Sequence, residues 1–243
     1  MSQTTSSRIL VTGGSRGLGL AICTRLLTEG QEVFTLARSI SAEVQKLAAS
    51  FPGRLHFHPV DLADREAVDG YVKQHPWLMD LDGLVANAAL GTDGLLLMTP
   101  DAALRKCIEV NLTSTVVLTK TILKGMLQRG GNLVFISSIA AKTALKGLSV
   151  YSATKAGLAA FCRTIAKEYG ERGIRANCIL PGFLDTEMSH GLNDHQRQQI
   201  IRRTALRRLG EGDDICGVVS FLLSPAARFI TGAEIVVDGG FSI

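Results

Sequence analysis

The chain has 243 residues, of which 46% are hydrophobic and 20% charged, and its formal net charge at pH 7 is +4. This composition is ordinary for a globular protein with one large core. The basic residues form no long run and are not interleaved with aromatic side chains, which argues against a nucleic-acid partner. No apolar run reaches the roughly 18 residues that a membrane-spanning helix needs.

Cysteine usage predicts a reduced protein without a metal centre. The five cysteines are widely spaced and include no C-x-x-C pair, so the sequence suggests neither a disulfide framework nor a zinc site. The first seven residues are polar and lack the apolar core of a signal peptide. We therefore predict a flexible N-terminus over residues 1–7, a single domain over residues 8–243 and a cytoplasmic location.

Short apolar runs alternate with segments of helical periodicity along the whole chain. Strands are predicted at residues 8–12, 32–37, 55–59, 83–86, 133–136, 175–180 and 234–237. Helices are predicted after residue 19, at 41–51, 65–74 and 101–125, around Tyr151, and at 213–223, with a polar lid at about 183–210. This alternation predicts an α/β fold, a doubly wound parallel sheet with helices on both faces.

A glycine-rich turn follows the first predicted strand and opens the first helix. Its members are Gly13, Gly14, Ser15, Arg16, Gly17, Leu18 and Gly19. Glycines let the backbone approach a bulky anion, and the helix N-terminus offers free N–H groups to a pyrophosphate. The turn therefore predicts a dinucleotide site, although its glycine spacing differs from the usual G-x-G-x-x-G pattern.

The second predicted strand ends where the adenosine ribose of a dinucleotide is expected to lie. An acidic side chain there binds NAD, but this chain has Ala37 followed by Arg38. Together with Arg16, Arg38 can bracket a 2′-phosphate, so we predict NADPH as the cofactor; the alternative is a pair of solvated surface arginines. Asp61 is a candidate acceptor for the adenine amino group, and Asp61 or Asp64 is a candidate helix cap.

Tyr151 and Lys155 stand four residues apart in a segment with helical periodicity, so they share one face. A nearby ammonium favours the phenolate and is expected to lower the pKa of the tyrosine. The pair is a candidate acid/base group of a reductase, and the alternative is an incidental pair on an amphipathic helix. Ser138 follows the fifth predicted strand, at the edge where ligands bind in such sheets. Asn111 is either a satisfied core amide or a catalytic candidate.

Together these residues resemble the short-chain dehydrogenase/reductase family over essentially the whole chain. The matching motifs are Thr12-Gly13-x-x-x-Gly17-x-Gly19, Asp61, Asn87-Ala88, Asn111, Ser138, Tyr151-x-x-x-Lys155 and Pro181-Gly182. Within the family the chain looks most like 3-oxoacyl-[acyl-carrier-protein] reductases, in segments 181–188 and 230–233 and in Asp238-Gly239-Gly240. The resemblance implies a Rossmann-like, seven-stranded sheet and a homotetramer.

The resemblance also implies a role for each site residue. Tyr151 would donate a proton to the carbonyl oxygen as hydride arrives, while Lys155 would lower the pKa of Tyr151 and hold the nicotinamide ribose. Ser138 would hydrogen-bond the substrate oxygen, and Asn111 would position a water in a proton relay to Lys155. The implied cofactor contacts further include Leu62, Asn87, Ala88, Val110, Pro181, Gly182 and Thr186.

The chain departs from the family pattern after the fourth predicted strand. The family usually has Asn-Asn-Ala-Gly there, whereas this chain has Ala86-Asn87-Ala88-Ala89. Ala89 adds a Cβ where the backbone runs close to the cofactor, which is expected to alter cofactor affinity or loop geometry.

The implied substrate is a 3-oxoacyl thioester on an acyl-carrier protein, in fatty-acid or polyketide-type synthesis. Arg129 and Arg172 match arginines that dock this acidic partner, and they are expected near the mouth of the active site. The alternative is a pair of helix-end cations. Two other functions stay open: reduction of a free ketone, sugar or other small carbonyl, and a non-catalytic cofactor-binding subunit in a heteromer.

Overall fold

The computed structural model describes residues 6–186 and 193–243. Its seven strands form one parallel sheet in the order β3-β2-β1-β4-β5-β6-β7. The strands are β1 (Arg8–Thr12), β2 (Glu32–Ala37), β3 (Leu55–Pro59), β4 (Gly83–Ala86), β5 (Gly131–Ile136), β6 (Ile174–Pro181) and β7 (Glu234–Val237). The predicted doubly wound α/β sheet of a single domain is confirmed.

Helices flank both faces of this sheet. Within the described residues they are α1 (Gly17–Thr28), α2 (Ala42–Ser50), α3 (Arg65–Gln74), α4 (Asp101–Ile108), α5 (Ser114–Arg129), α6 (Ser149–Tyr169), α7 (Asp194–Arg203) and α8 (Gly212–Leu223). None of them is both long and apolar enough to cross a membrane.

The helix predicted at residues 101–125 differs from the observed one. A π-helical turn at Glu109–Thr113 separates α4 from α5, and α5 continues to Arg129. A π turn adds a residue to the helical repeat and changes the direction of the side chains in it. The apolar periodicity of the segment runs through this turn, so the sequence pattern does not reveal it.

Alternate residues of each central strand enter two apolar cores, one on each face. Leu84 and Phe135 belong to the core under α5 and α6, whereas Val85 and Val134 belong to the core under α1 and α8. Successive side chains of a strand point to opposite faces, so strands buried on both faces read as continuous apolar runs.

The site is positioned by the point at which the strand order reverses. From β1 the chain runs outward through β2 and β3, and it then returns to the other side of β1 as β4. The segments that leave β1, β4, β5 and β6 all emerge at the carboxyl edge of the sheet. In open α/β sheets this is where ligands bind.

Two segments singled out in the sequence lie partly outside the described residues. Residues 1–5 of the predicted N-terminal segment lie outside, while Ser6 Oγ donates to Gly30 O at 2.8 Å and Ser7 N donates to Gln31 Oε1 at 2.9 Å. Ser6 and Ser7 are thus hydrogen-bonded to the α1–β2 connection. In the predicted lid, residues 187–192 lie outside and α7 lies within.

Candidate active site

The glycine turn is held tightly against its neighbours. Gly13 N donates to Leu36 O at 2.8 Å, and Gly14 N donates to Thr35 Oγ1 at 3.1 Å. Helix α1 packs so closely on the turn that a Cβ on Gly19 would lie 2.1 Å from Gly13 O. The turn and the helix can therefore pack this closely only because Gly19 has no side chain.

Gly17 faces open space at the start of α1. Its φ is +53°, and a Cβ placed there would meet no atom within 4 Å. Arg16 precedes the helix with an extended backbone and no side-chain capping bond, and the first turn contains no acidic residue. The first N–H groups and the positive end of the helix dipole thus face an open surface that suits an anionic group.

Arg16 and Arg38 are exposed at one corner of the site. Arg38 directly follows β2. Ser41 Oγ donates to Ser15 O at 2.8 Å, which holds the segment after β2 against the glycine turn. Both arginines lie within three residues of this hydrogen bond in the sequence, and the 2′-phosphate site that they would form stays a prediction.

The turn after β3 contains both predicted aspartates. Asp64 Oδ1 accepts from Ala67 N at 3.0 Å, which confirms Asp64 as the N-cap of α3. Asp61 Oδ1 accepts from Ala63 N at 2.9 Å within the turn itself. Leu62 is buried in the apolar core.

The segment that leaves β4 is fastened to the end of β1. Asn87 Nδ2 donates to Thr12 O at 2.9 Å, and the N–H groups of Asn87 and Ala88 each donate to Thr12 Oγ1 at 3.0 Å. The Ala86 side chain is buried in the apolar core. Ala89 is partly buried.

Asn111 is completely buried in the π turn. Its Oδ1 accepts from Leu90 N at 2.7 Å, while Nδ2 donates to Leu90 O at 3.0 Å and to Thr154 Oγ1 at 3.1 Å. The amide therefore joins the loop after β4 to helix α6, as a satisfied core amide does. The neighbouring Val110 is also buried, in the apolar core.

Lys155 is a buried cation on α6 with a backbone partner. Only 1% of the residue is exposed, its Nζ donates to Ile136 O at 2.7 Å, and Ser137 Oγ donates to Lys155 O at 2.8 Å. Burial lowers the pKa of Lys155 to about 8. Its Nζ lies 5.7 Å from the centre of the Tyr151 ring.

The Tyr151 side chain is partly buried and hydrogen-bonded to Ser138. Burial raises the pKa of Tyr151, and a hydrogen bond with the Ser138 side chain acts in the opposite direction. Ser138 Oγ also accepts from Ala140 N at 3.1 Å. Because its pKa is raised above the usual value of about 10, Tyr151 is a protonated phenol at neutral pH, the form that donates a proton. The lowering of this pKa by Lys155, which the resemblance implies, stays a prediction.

Pro181 ends β6, and Gly182 continues beside the last strand. Gly182 N donates to Val237 O at 3.0 Å. A Cβ on Gly182 would lie 2.6 Å from Asp238 Cβ, so only glycine fits this contact. The Pro-Gly motif is thus packed against the start of the C-terminal segment.

The chain after Gly182 forms the beginning of the predicted lid. Phe183 O accepts from Gly210 N at 2.9 Å, which joins the two ends of the segment. Thr186 N donates to Leu184 O at 3.1 Å. Positions 187 and 188 of the family-like segment are among residues 187–192, outside the described residues.

Arg129 and Arg172 lie at the opposite edge of the sheet from the site. Arg129 ends α5 just before β5 begins at Gly131, and Arg172 lies just before β6 begins at Ile174. Ser138 follows the other end of the six-residue β5, about 20 Å away. The expectation that these arginines border the mouth of the same chain's active site is therefore wrong.

Arg129 already has backbone partners at that edge. Its guanidinium donates to Met79 O at 2.9 Å and to Leu81 O at 3.1 Å, and it lies 4.0 Å from the Asp80 carboxylate. These contacts match the alternative of a helix-end cation.

Two residues that the sequence analysis did not single out support the site. Thr154 Oγ1 accepts from Asn111 and donates to Tyr151 O at 2.7 Å. Cys107 Sγ accepts from Asn111 Nδ2 at 3.3 Å and donates to Leu90 O at 3.5 Å. Thr154 could have been found from the sequence by its position inside the Tyr151-x-x-x-Lys155 motif. No sequence feature points to Cys107.

A family model described as Enoyl-(Acyl carrier protein) reductase matches residues 13–242. The 3-oxoacyl-[acyl-carrier-protein] reductase FabG of Chlamydia pneumoniae is 33% identical over 242 residues, which cover 97% of this chain and 96% of that protein. FabG of Escherichia coli strain K12 is 36% identical over 235 residues, 95% of each chain. The solved structure titled 4-hydroxyisoleucine dehydrogenase complexed with NADH has a TM-score of 0.91 and 27% identity, with 98% of this chain and 99% of that chain covered. With this sheet order and these similarities, the chain belongs to the short-chain dehydrogenase/reductase family of oxidoreductases.

Proposed function

We propose that the protein uses NADPH to reduce 3-oxoacyl thioesters, carried by an acyl-carrier protein, to 3-hydroxyacyl products. The observation that carries this proposal is the grouping of Tyr151, Ser138 and Lys155 at the carboxyl edge, beside the open N-terminus of α1. The FabG relatives, named 3-oxoacyl-[acyl-carrier-protein] reductases, support the substrate class.

The chemistry follows from the protonation states of these three side chains. When bound, NADPH supplies a hydride to the carbonyl carbon. Tyr151 gives its phenol proton to the carbonyl oxygen, and the Ser138 hydroxyl holds that oxygen in place. Lys155 is mostly protonated at pH 7, since burial lowers its pKa only to about 8, and its charge favours the tyrosinate left after proton transfer.

NADPH rather than NADH is proposed because of the charge around the ribose corner. The open N-terminus of α1 suits the pyrophosphate. Arg38 follows β2 where a carboxylate would bind the 2′-hydroxyl of NAD, and with Arg16 it matches a 2′-phosphate. The contacts of Asp61 within its turn leave its second carboxylate oxygen for the adenine amino group.

Carrier docking and assembly belong to the same proposal. Arg129 and Arg172 offer positive charge to an acidic carrier. Because they are about 20 Å from Ser138 of their own chain, a carrier docked there delivers its acyl group to a site on a neighbouring chain. A homotetramer, or a heteromer with a related subunit, brings such sites together.

A substrate panel tests the proposal. NADPH consumption is measured with a carrier-bound 3-oxoacyl thioester, the same acyl group on a free pantetheine thioester, an enoyl thioester and a free cyclic ketone. We expect turnover of both 3-oxoacyl thioesters and the highest kcat/KM with the carrier. Turnover of the enoyl thioester or the ketone alone would refute the proposed substrate, and NADPH binding without any turnover would support a non-catalytic subunit.

A further inference from the structure

The last six residues form a tight turn, which we call the tail turn (residues 238–243). The Asp238 carboxylate accepts from Gly240 N at 2.8 Å, from Ser242 N at 2.9 Å and from Ser242 Oγ at 2.6 Å. Gly239 and Gly240 have φ of +62° and +80°, in the region that favours glycine. The Asp-Gly-Gly motif thus builds a turn whose next residue, Phe241, points into the protein and is 5% exposed.

Phe241 belongs to a small apolar cluster, which we call the tail cluster. Its ring meets Phe183 edge to face, with ring centres 5.1 Å apart, and the Arg203 guanidinium lies 4.4 Å from the ring centre. The members of the tail cluster are Ile139, Phe183, Ile200, Ile201, Leu209 and Phe241.

The tail cluster joins two walls of the active site. Ile139 directly follows Ser138, and its carbonyl accepts from Lys142 N at 2.9 Å and Thr143 N at 2.8 Å. Phe183 directly follows the Pro-Gly motif at the end of β6. One apolar contact set therefore fixes both the turn that carries Ser138 and the strand exit opposite it.

The tail turn also contacts the residues that directly follow α7. Leu206 N donates to Gly239 O at 3.0 Å. A Cβ on Gly239 would lie 2.8 Å from Thr204 Cγ2, and one on Gly240 would lie 2.7 Å from Ala205 Cβ. The backbone of the tail turn and that of the residues after α7 are packed as closely as two glycines allow.

We infer that Phe241 is a positioning residue that holds the Ser138 hydroxyl in place by packing Ile139 against Phe183 and α7. Phe241 touches no reacting atom, and it acts through the backbone of Ile139. This inference deepens and rests on the proposed function, since it assigns the C-terminal segment a part in carbonyl reduction.

The test compares Phe241→Ala with a matched control, Phe51→Ala. Phe51 also packs under an arginine, Arg54, at 5.8 Å, and it lies between α2 and β3, at the other end of the sheet from β7. We expect Phe241→Ala to speed hydrogen exchange at residues 139–143 about tenfold. Because a displacement of about 1 Å at a reacting group can cost 100-fold, we expect kcat for the 3-oxoacyl thioester to fall 10- to 100-fold. The Kd of NADPH should change less than kcat, because the glycine turn has no residue in the tail cluster, although Gly182 adjoins Phe183.

Two further variants guard against loss of folding. Arg203→Ala removes an exposed contact of the Phe241 ring. It should also speed hydrogen exchange at residues 139–143 and lower kcat, but by less than Phe241→Ala does. Phe241→Leu keeps an apolar side chain and should restore kcat to within about threefold of the wild type. If Phe241→Ala does not fold, these two variants decide the question.

Several results would overturn the inference. One is faster exchange confined to α7 and the tail turn, with residues 139–143 unchanged. Another is an equal loss of kcat in Phe51→Ala. If the wild type reduces no thioester, the proposed function fails, and hydrogen exchange at residues 139–143 still decides whether Phe241 positions the Ser138 turn.

Discussion

At the scale of single residues, Lys155 lowers the stability of the fold. It is buried with a carbonyl partner, and within the described part of the chain no carboxylate pairs with it. An ammonium in such surroundings disfavours folding, because the charged form loses its hydration. A cation at the centre of the site therefore fits the proposed role of Lys155 in carbonyl reduction.

We predict that Lys155→Met stabilises the protein while abolishing reduction. Below about pH 8 the lysine is protonated in both states, so the wild type carries the full penalty there. Between about 8 and 10.5 the unfolded chain binds more protons, so wild-type stability rises with pH in that window. After allowing for the lost bond to Ile136 O, the gain at pH 7 should be about 1 to 2 kcal/mol.

Urea unfolding at pH 7, 9 and 10 measures this effect. The difference between the variant and the wild type should shrink as the pH rises. A variant that is less stable at pH 7, with the wild-type slope retained, would contradict the assignment of a destabilising buried charge.

Arg38 is predicted to set the choice of cofactor. It is exposed after β2, and among the described residues it has no hydrogen bond or ion pair. Arg38→Asp should weaken NADPH binding by about 10- to 100-fold and leave NADH binding equal or tighter, because a carboxylate repels the 2′-phosphate and accepts from a 2′-hydroxyl. Fluorescence titration with both cofactors measures this, and Lys46→Asp on α2 is the charge-matched control. An unchanged NADPH preference would remove Arg38 from the site.

At the scale of elements, the glycine turn and helix α1 behave as one unit. The Cβ of Gly19→Ala would lie 2.1 Å from Gly13 O, so helix and turn must separate. We predict at least about a tenfold loss of NADPH affinity, since the N–H groups of the helix then miss the pyrophosphate. The control is Gly70→Ala on α3, whose Cβ would meet no atom within 4 Å and whose φ is not positive. Calorimetric titration of both variants tests this, and equal affinities would contradict it.

Several elements were predictable because burial leaves a clear pattern. The bounds of β1, β2, β3, β4, β7 and α3 match the sequence-based ones. For β1, β2, β4 and β7 the apolar run ends at a glycine or a polar residue, and Asp64 caps α3. The π turn at Glu109–Thr113 was not predictable, because no propensity marks the extra residue in a helix that stays apolar. The bonds of Asn111 to Leu90 and Thr154 depend on that turn and were missed for the same reason.

The residues of the site were easier to predict from the sequence than their hydrogen-bond partners and pKa shifts. Ser138, Tyr151 and Lys155 could be grouped because they follow or face the carboxyl ends of strands. The hydrogen-bond partner of each polar atom could not be predicted. The carbonyl that accepts from Lys155 on α6, for example, belongs to Ile136 of β5. The position of Arg129 was available from the sequence: a residue just before a parallel strand lies at the amino edge of the sheet.

At the scale of the whole molecule, we propose different roles for the two edges of the sheet. The carboxyl edge holds the candidate active site, and the amino edge holds Arg129 and Arg172. We predict that Arg129→Glu with Arg172→Glu lowers kcat/KM for a carrier-bound thioester by about tenfold, most strongly at low salt, because an acidic carrier is repelled. The free thioester should be reduced at the wild-type rate. Equal loss on both substrates would mean that the changes damage the fold.

The central claim is that Tyr151 supplies the proton for carbonyl reduction, and Tyr151→Phe tests it most directly. The variant keeps the ring and loses the hydroxyl, so NADPH should bind as in the wild type. With a 3-oxoacyl thioester, kcat should fall by about 100- to 10,000-fold, the usual contribution of a general acid. Near-normal turnover with unchanged NADPH binding would contradict the account.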